Sequence, residues 1–550
     1  MKKLHAVLMS FVLCAVSSLP LATVQGQNGP KGQNDVAQQT PAEISYPVHF
    51  DKTPKKLRDM FDSGERQKPA RGGKDFEPGR PQPIENVNRP AEDPLAARSV
   101  GLPSALAEPK TATVGTPVDP AARVAPPDTT GDVGPNHYVQ WVNLRYAVYT
   151  LTRDANNNIT AFNLVPGFPK NGSTLWSGFG GRCQSDNDGD PIVQYDQLAD
   201  RWILTQFAVS STPYTQCVAV STTPDPTGTY FRYSYSYSRN FNDYPKMGVW
   251  PDAYYITYNM FRNGASYVGN QVCAFERAQM LVGGVARQAC AMTSTSQASL
   301  EPADLEGSTL PPATTPGLLL SITSTALNFF RFTVNWAAGT GTLTGPTAIA
   351  GVAAFSRACG GGVCIPQPGT SQQLDSLGDR LMYRLSYRNF GDHEAMVINH
   401  SVTSGSGVGV RWYELRNAAG QSMKTATPVL FQQGTFAPTN DFRWMGSAAI
   451  DKTGGIAIGY NISNASTIVP SIRYAYRGPA DPLGTLGNET TILVGSGVQT
   501  ATLNRWGDYS TISVDPVDGC TMVFTSQFQP ANGNFNWSTY IYTFKLSTCN

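Results

Sequence analysis

The sequence has few charged side chains and almost no excess of either sign. Lysine and arginine together number 41 against 40 aspartates and glutamates, so the formal net charge is +1, and only 15% of the 550 residues are charged. A chain without a basic block offers no electrostatic footprint for the phosphates of a nucleic acid. We therefore expect no nucleic-acid partner.

Sequence motifs for common metal and catalytic centres are also missing. The chain has 5 histidines, and no two cysteines have the two-residue spacing of a zinc site. There is no His-Glu-x-x-His motif, no phosphate-binding loop and no Gly-x-Ser-x-Gly elbow. His393 and His400 flank one β-rich run, but their odd separation would place them on opposite faces of a strand. These absences leave no ready-made catalytic motif.

Long apolar runs are absent after the N-terminus. Met1-Lys2-Lys3 is followed by a short apolar core and then by small residues, with a plausible cleavage context at Val24-Gln25-Gly26. This pattern predicts a secretory signal peptide over residues 1–26, with a buried N-terminal helix as the alternative. No later stretch approaches the roughly 18 apolar residues of a spanning helix. We therefore expect no transmembrane segment and a secreted or periplasmic protein.

The cysteine content favours disulfide bonds. Of the 9 cysteines, Cys14 would leave with the signal peptide, and an even number would remain in the exported chain. Eight cysteines allow 105 connectivities, and a metal site is the competing interpretation. Because the cysteines cluster along the chain, we expect each to pair with its neighbour in sequence. The predicted pairs are Cys183–Cys217, Cys273–Cys290, Cys359–Cys364 and Cys520–Cys549.

Residues 27–123 show weak hydrophobic periodicity. The segment is rich in proline, glycine, glutamine and mixed charge, and breakers such as Gly29-Pro30 and Thr53-Pro54 recur along it. Such composition is typical of a disordered linker or pro-region. Within it, a short piece at residues 99–102 could still pair with the folded body.

From residue 124 the sequence changes to short alternating strands and turns. One hairpin turn recurs, in copies at Gly134-Pro135-Asn136, Tyr195-Asp196, Pro251-Asp252, Gly391-Asp392, Ile450-Asp451 and Val514-Asp515. Successive copies lie 56 to 64 residues apart, except for one interval of 140 residues that fits two units. Radially arranged units of four strands make a propeller. The sequence therefore predicts an all-β protein with a seven-bladed β-propeller of four-stranded antiparallel blades over residues 124–550. A pair of stacked sandwiches is the alternative.

The last unit has one strand fewer than the others. Its predicted strands cover residues 510–514, 521–526 and 538–545, and no fourth strand follows. Either the N-terminal segment supplies the missing strand, or a Cys520–Cys549 disulfide closes the ring instead.

Two of these stretches resemble a known group of proteins. The run from Asn242-Asp243-Tyr244-Pro245-Lys246 to Tyr255 and the run Asn504 to Asp515 are similar to motifs of exported bacterial propeller proteins. More distantly, the repeats resemble the sialidase-like propeller superfamily. The nearest match to a sialidase Asp-box, Ser513 to Met522, is lengthened and ends in methionine rather than tryptophan, and the arginine motif of that superfamily is not apparent. The resemblance therefore implies a fold but no catalytic set.

Polar and aromatic residues recur just before the first strand of each unit, where a propeller presents one end of its central channel. The predicted ligand-binding residues are Asp190, Asp243, Tyr244, Asp379, Asp441, Arg443, Trp444, Arg505, Trp506, Asp508 and Tyr509, and Asp132 belongs to the same pattern. Converging carboxylates can act as general acids and bases, and a tryptophan beside an arginine can stack on a sugar. The alternative is that the aspartates cap turns and that both tryptophans pack between blades.

One short motif indicates a metal. Asp186-Asn187-Asp188-Gly189-Asp190 combines closely spaced carboxylates with a turn glycine, which is what a hard cation requires. We therefore predict Asp186, Asp188 and Asp190 as ligands of calcium. Gln197 stands where a complete calcium loop would place its bidentate glutamate, so a solvated turn is the alternative.

Taken together, these patterns predict an exported propeller that binds an extracellular glycan or another surface ligand at one end of its channel. The alternative is a glycoside hydrolase of the sialidase-like type that uses the carboxylates at the channel mouth.

Overall fold

Strands make up almost all the regular structure of the protein. The computed structural model describes residues 38–62, 71–72, 93–96, 115–118 and 124–549. The predicted signal peptide and the segment 99–102 lie outside these residues. The α-helices are single turns, α1 (Gly181–Ser185) and α2 (Arg277–Met280), and further 3-10 turns cover Leu57–Asp59, Gly172–Trp176 and Ala358–Gly361. No helix in the described ranges is long and apolar enough to cross a membrane.

The N-terminal part of the chain contributes short strands. They are β1 (Gln39–Pro41), β2 (Glu43–Ser45), β3 (His49–Lys52), β4 (Arg71–Gly72), β5 (Gly115–Val118) and β6 (Val124–Ala125).

Three separate antiparallel sheets follow along the chain, each built from consecutive strands. The first contains β7 (Thr129–Val133), β8 (His137–Val142), β9 (Arg145–Arg153) and β10 (Ile159–Leu164), with β11 (Lys170–Asn171) also paired to β9. The second contains β12 (Ile192–Asp196), β13 (Arg201–Ala208), β14 (Thr215–Ser221) and β15 (Tyr230–Ser236). The third contains β16 (Asn240–Val249), β17 (Tyr254–Arg262), β18 (Ser266–Phe275) and β19 (Gln288–Met292).

The next strands belong to one sheet of 13 strands. Its first antiparallel run is β20 (Glu301–Glu306), β21 (Gly317–Ile322), β22 (Leu327–Asn335) and β23 (Thr340–Ala348). After a separate hairpin of β24 (Val363–Ile365) and β25 (Leu374–Asp375), the second run is β26 (Met382–Asn389), β27 (Glu394–Ser404), β28 (Gly407–Arg416) and β29 (Val429–Phe436). The third run is β30 (Phe442–Ile450), β31 (Ile456–Ser463), β32 (Ser471–Arg477) and β33 (Thr490–Leu493). The chain ends in a separate sheet of β34 (Thr511–Val514), β35 (Thr521–Phe528) and β36 (Ser538–Lys545).

The prediction of an all-β propeller is confirmed, but its count of separate blades is not. Strand pairing separates four blades rather than seven, because the 13-stranded sheet is continuous. Parallel pairing joins β20 to β26 over Ala303 to Glu306, and a single parallel partner pair, Val408 and Phe442, joins β28 to β30. Backbone hydrogen bonds therefore join the three antiparallel runs of this sheet, where separate blades would have no hydrogen bonds between them.

The sheets pack on one another in chain order through apolar clusters. Trp141 shares a cluster with Trp202 of the second sheet, and Ile203 shares one with Ile256 of the third. Trp250 of the third sheet lies edge-on to Tyr387 in the 13-stranded sheet, with ring centroids 4.7 Å apart. The last sheet packs on the 13-stranded sheet, where Tyr474 stacks on Phe544 at 4.1 Å, and also on the first sheet. The arrangement therefore closes on itself, with β7, β12, β16, β20, β26, β30 and β34 as the leading strands.

Part of the segment predicted to be disordered instead forms edge strands. β1 pairs with β23, β2 with β19 and β3 with β15, all antiparallel. These strands lack visible periodicity because each has only three or four residues, and backbone hydrogen bonds rather than a buried face hold them to the sheets. The prediction of a disordered extension is therefore wrong for residues 38–52.

Two proposed ways to complete the last sheet occur together. β5 pairs with β36 as the fourth strand, and Cys520 is bonded to Cys549. The other predicted disulfides, Cys183–Cys217, Cys273–Cys290 and Cys359–Cys364, are also present, so all four predicted pairs are confirmed.

Candidate functional site at the channel end

Left-handed backbone conformations recur on or shortly before the leading strands. Non-glycine residues with φ between 44° and 55° precede four of these strands and lie at β-bulges within two others, β16 and β30. They are Asp128, Asp190, Tyr244, Ser299, Leu377 and Met445. Aspartate tolerates this left-handed region, whereas tyrosine, leucine and methionine rarely adopt it. Such outliers concentrate at functional sites, where the surrounding structure over-determines them.

These conformations accompany a buried group of charged and aromatic side chains, which we call the channel-end cluster. Its members are Asp128, Asp190, Tyr244, Lys246, Glu301, Asp379, Arg380, Arg505, Asp508 and Tyr509. All are buried except Arg505, whose side chain is 18% exposed. Residues on or just before several leading strands thus bring polar groups together.

Lys246 lies in the middle of the cluster. Its Nζ is 3.2 Å from the centroid of the Tyr244 ring and 4.2 Å from that of Tyr509, and it donates a hydrogen bond of 2.9 Å to the Pro245 carbonyl. Burial lowers the pKa of Lys246 to about 8, although the charges of Glu301, Asp508 and Asp190 favour its protonated form. The aromatic faces attract the ammonium, so the lysine is held by rings as well as by carboxylates.

Two arginines pair with carboxylates at the edge of the cluster. Arg380 Nε donates to Asp379 Oδ1 at 2.8 Å, and its guanidinium carbon lies 4.5 Å from the Tyr244 ring centroid. Arg505 donates to Asp508. The tyrosine hydroxyls then fix the backbone, because Tyr244 donates to the Asp508 carbonyl at 3.1 Å and Tyr509 to the Pro191 carbonyl at 2.8 Å.

Glu301 is the first residue of β20 and is completely buried. Neither of its carboxylate oxygens accepts a hydrogen bond within the part of the chain that the structure describes. Burial raises the pKa of Glu301 to about 8, against the opposing charges of Lys246 and Arg380. Burial therefore shifts the pKa values of Lys246 and Glu301 in opposite directions, and each favours the neutral form of its side chain.

Three aspartates of the cluster come close to one another. Asp128, Asp190 and Asp508 each offer a carboxylate oxygen, and these oxygens lie within 4.8 Å of one another. Asn143 Nδ2 donates to Asp128 Oδ2 at 2.7 Å. Gly189 packs so closely on Asn143 that an added Cβ would lie 2.2 Å from its Oδ1, and its φ of +97° also requires glycine.

A second buried group of charged side chains lies on the leading strands β7, β20 and β26. Arg384 donates to Asp304 and forms an ion pair of 2.6 Å with Glu306. Asp132 accepts hydrogen bonds of 2.8 Å from the backbone N–H groups of Val133 and Tyr195, and burial raises its pKa to about 6. Asp132 therefore ties β7 to β12 through the backbone rather than lying at the channel mouth.

The structure separates the predicted ligand-binding residues into two sets. Asp190, Tyr244, Asp379, Arg505, Asp508 and Tyr509 belong to the channel-end cluster. Asp441 accepts from Thr439 and Asn464, and Arg443 pairs with Glu489 at 2.8 Å, both outside the cluster. Asp243 is half-buried opposite Asn259 in the β16–β17 ladder.

The two predicted sugar-stacking tryptophans are buried. Trp444 and Trp506 lie 5.8 Å apart between ring centroids and neither has exposed surface. Trp506 Nε1 also donates to Asn461 Oδ1 at 3.1 Å. This arrangement matches the alternative interpretation, packing between strands, and leaves no face of either ring for a ligand.

The predicted calcium loop does not gather its three aspartates as one ligand set. Asp186 pairs with Arg182, whereas Asp188 accepts from the backbone N–H groups of Val209 and Ser210 at 2.6 and 2.7 Å. Of the loop, only Asp190 belongs to the three-carboxylate group found among the described residues.

Sequence reasoning missed four members of the cluster. Lys246 lies two residues after Tyr244 within the motif that carries the family resemblance, and nothing in that polar and aromatic stretch distinguishes it as a site residue. Glu301 falls in the 140-residue interval that has no recognisable hairpin turn. Arg380 directly follows Asp379, and Asp128 directly precedes β7, so the rule that polar residues precede a leading strand would have found both.

Two loops that deliver cluster residues also border an open cavity. The loop from β23 to β26 carries Asp379 and Arg380, the loop from β33 to β34 carries Arg505 and Asp508, and the Asp375 N–H donates to the Asn504 carbonyl at 2.8 Å. The cavity has a volume of about 510 Å³. Its lining is mostly small and polar: Val363, Thr370, Ser371, Gln372, Gln373, Ala501, Thr502 and Asn504.

Comparison with known proteins gives structural likeness only. No protein-family model matches the chain, and no curated protein matches it in sequence. An endo-arabinase from Bacteroides thetaiotaomicron is 10% identical, with a TM-score of 0.26 over 64% of this chain and 93% of its own. An α-L-arabinofuranosidase from Fusarium graminearum is 5% identical, with a TM-score of 0.31 over 80% and 96%. An exo-β-1,3-galactanase from Phanerochaete chrysosporium is 12% identical, with a TM-score of 0.27 over 80% and 97%. Likeness at this level carries no argument about function.

Proposed function

We propose that this protein binds a glycan at the channel end, in the cavity between the β23–β26 and β33–β34 loops. The lining of that cavity is the observation that supports the proposal. Hydroxyl and amide side chains such as those of Ser371, Gln373 and Asn504 donate and accept hydrogen bonds, and sugar hydroxyls need both. A volume of about 510 Å³ lies within the range of small-ligand sites.

Burial of the carboxylates favours binding over hydrolysis. A glycosidase places two carboxyl groups on either side of the bond that it cleaves. Here Asp190 and Glu301 have no exposed surface, so a sugar in the cavity would not reach them in this conformation. The raised pKa of Glu301, about 8, is nevertheless what a general acid requires, and it keeps a glycoside hydrolase as the second candidate.

We also propose that the protein is exported and that its ring has seven blades. Four disulfides support export to an oxidising compartment. The three antiparallel runs within the 13-stranded sheet, added to the four separate sheets, support the blade count.

Calorimetric titration with neutral oligosaccharides of arabinose, galactose and glucose tests the binding proposal. Gln373→Ala and Asn504→Ala should each weaken binding about 3- to 10-fold, because each removes a neutral hydrogen bond. Asn156→Ala is the matched control, since Asn156 is an exposed amide in the β9–β10 turn.

Three outcomes separate the candidates. Binding that weakens in the two cavity variants but not in the control supports a glycan site. Release of reducing sugar by the wild-type protein, abolished by Glu301→Gln, would favour the hydrolase. Equal affinity in all variants, or no binding to any glycan of the panel, would overturn the proposed site.

A further inference from the structure

We propose that the channel-end cluster is a binding site for a divalent cation of the calcium type, held by Asp128, Asp190 and Asp508. This inference stands independently of glycan binding. The site differs from the linear Asp186–Asp190 motif and shares only Asp190 with it.

The first support is the geometry of the three carboxylates. Calcium binds oxygen at about 2.3–2.6 Å, so two of its ligands are at most about 5 Å apart. One oxygen from each of Asp128, Asp190 and Asp508 lies within 4.8 Å of the other two. These residues precede β7, β12 and β34 in three different sheets, so an ion here would join the first, second and last sheets of the ring.

The second support is a neighbouring carboxylate without hydrogen bonds. Glu301 is fully buried, and within the described part of the chain neither oxygen has a hydrogen-bond partner. It lies near Lys246, and the Lys246 ammonium in turn feels the charges of Asp190 and Asp508. Burial without hydrogen bonds disfavours the ionised form of Glu301, and an added positive charge in the cluster would stabilise that form.

The third support is the charge of the cluster as a whole. It contains the carboxylates of Asp128, Asp190, Glu301, Asp379 and Asp508. Against these stand the three cationic side chains of Lys246, Arg380 and Arg505, and two of them are already engaged with Asp379 and Asp508. Buried charges are usually paired or bind metals. The carboxylates therefore outnumber the cationic side chains, and a divalent ion would offset that excess of negative charge.

Asp128 is held in place before any ion binds. It accepts a hydrogen bond from Asn143, and the same amide group donates to the Pro126 carbonyl at 2.8 Å. The close contact of Gly189 with Asn143 fixes the backbone immediately before Asp190. A carboxylate that is already oriented loses less conformational entropy on binding an ion.

The test measures metal directly in the intact protein. After purification without chelator, elemental analysis should find about one calcium per chain. After removal with EGTA, added calcium should raise the melting temperature by several degrees once it exceeds its dissociation constant about 100-fold. Terbium should substitute for calcium and show sensitised luminescence, because Tyr244 and Tyr509 line the cluster.

Matched variants separate the proposed site from the linear motif. Asp128→Asn and Asp190→Asn should each weaken calcium binding at least 10-fold, whereas Asp186→Asn should leave it unchanged. Loss of binding in Asp186→Asn as well would assign the ion to the linear motif and overturn the inference. If Asp128→Asn fails to fold, the wild-type protein still decides: no bound metal, no shift with calcium and no terbium signal would overturn it.

Discussion

At the scale of single residues, Trp506 shows how an aromatic residue in the loop before β34 can serve the core. Its ring is fully buried against Trp444, and Gln527 Nε2 donates to its carbonyl. We expect Trp506→Ala to lower the free energy of unfolding by about 3–5 kcal/mol, as large-to-small changes in a packed core do. Urea denaturation measures the loss, and Trp506→Phe, which keeps a ring, should lose much less. A stable Trp506→Ala with lost glycan binding would instead place the ring in the ligand site.

Glu301 predicts how stability depends on pH. Its pKa is raised from the ordinary value of 4.5 to about 8, so the folded state binds the extra proton between these values. Stability is therefore highest at low pH and falls as pH rises through the folded pKa. Burial also raises the pKa of Asp132 to about 6 and of Glu306 to about 7, so above pH 7 Glu301 dominates the fall.

We expect Glu301→Gln to flatten this dependence. In chelator, the unfolding free energy of the wild-type protein should fall between pH 6.5 and 8 by up to about 1.4 kcal/mol per pH unit from this one group. Chemical denaturation at pH 6.5, 7.2 and 8 measures the slope. Lys246 opposes this slope as the pH approaches 8, because its pKa, lowered by burial to about 8, makes stability rise with pH from there upward. The contribution of Glu301 is therefore read from the interval between pH 6.5 and 7.2. An unchanged slope in Glu301→Gln would contradict the assignment.

The residues of the cluster could be predicted from sequence only where a local rule applied. Asp190, Asp379 and Asp508 precede leading strands, and that position was recognisable from hairpin spacing. Lys246 was hidden because it stands in a mixed polar and aromatic strand, Asn240–Val249, whose sequence gives no sign that a charged side chain is buried. Only the folded ring shows that two tyrosines shield it. The burial of Trp506 was equally invisible, since stacking on a sugar and packing between strands require the same aromatic residue.

At the scale of elements, the N-terminal segment is attached to the body by a buried ion pair. Arg411 Nη2 lies 2.6 Å from Asp93 Oδ2, and both side chains are completely buried. Thr435 Oγ1 donates to the same carboxylate at 2.9 Å. A second pair, Arg58 with Asp225, makes a comparable link at the surface. The buried and the exposed ion pair can be compared directly, because both join the N-terminal segment to the sheets.

We expect Asp93→Ala to cost about 3–5 kcal/mol, because it leaves the Arg411 charge buried without its partner. Arg58→Ala should cost at most about 1 kcal/mol, since an exposed pair contributes little. Thermal denaturation of both variants measures the difference. Equal losses would show that the segment around Asp93 does not contribute to the stability of the body.

The edge strands explain why composition misled the prediction for residues 38–52. β1, β2 and β3 each add to the outer edge of a different sheet, and covering an edge protects its unpaired backbone groups. Such strands need no alternation of polar and apolar residues, and Tyr46 and Val48 beside them remain exposed. Weak hydrophobic periodicity therefore indicates that these strands bury no apolar face, not that the segment lacks regular structure.

At the scale of the whole molecule, the spacing of hairpins was sufficient to predict a closed ring of sheets. Turns that repeat every 56 to 64 residues indicate structural units of similar size. Units that pack face to face form either a closed ring or an open array. The joining of three runs into one sheet was not predictable, because it depends on parallel pairing between β20 and β26, strands about 80 residues apart in the chain. The proposed glycan site is equally absent from the repeat, since it is formed by the loops between β23 and β26 and between β33 and β34.

Closure of the ring gives the last prediction. The final sheet is completed by β5 and fastened by Cys520–Cys549, which spans 29 residues, whereas Cys359–Cys364 spans 5. If each bond acts by restricting the unfolded chain, replacing Cys520 and Cys549 by serine should cost about 3–4 kcal/mol, and replacing Cys359 and Cys364 about 2 kcal/mol. Urea denaturation without reductant measures both double variants against the wild-type protein. A larger loss at Cys359–Cys364 would mean that the loop over the channel end, rather than the closure of the ring, limits the stability of the fold.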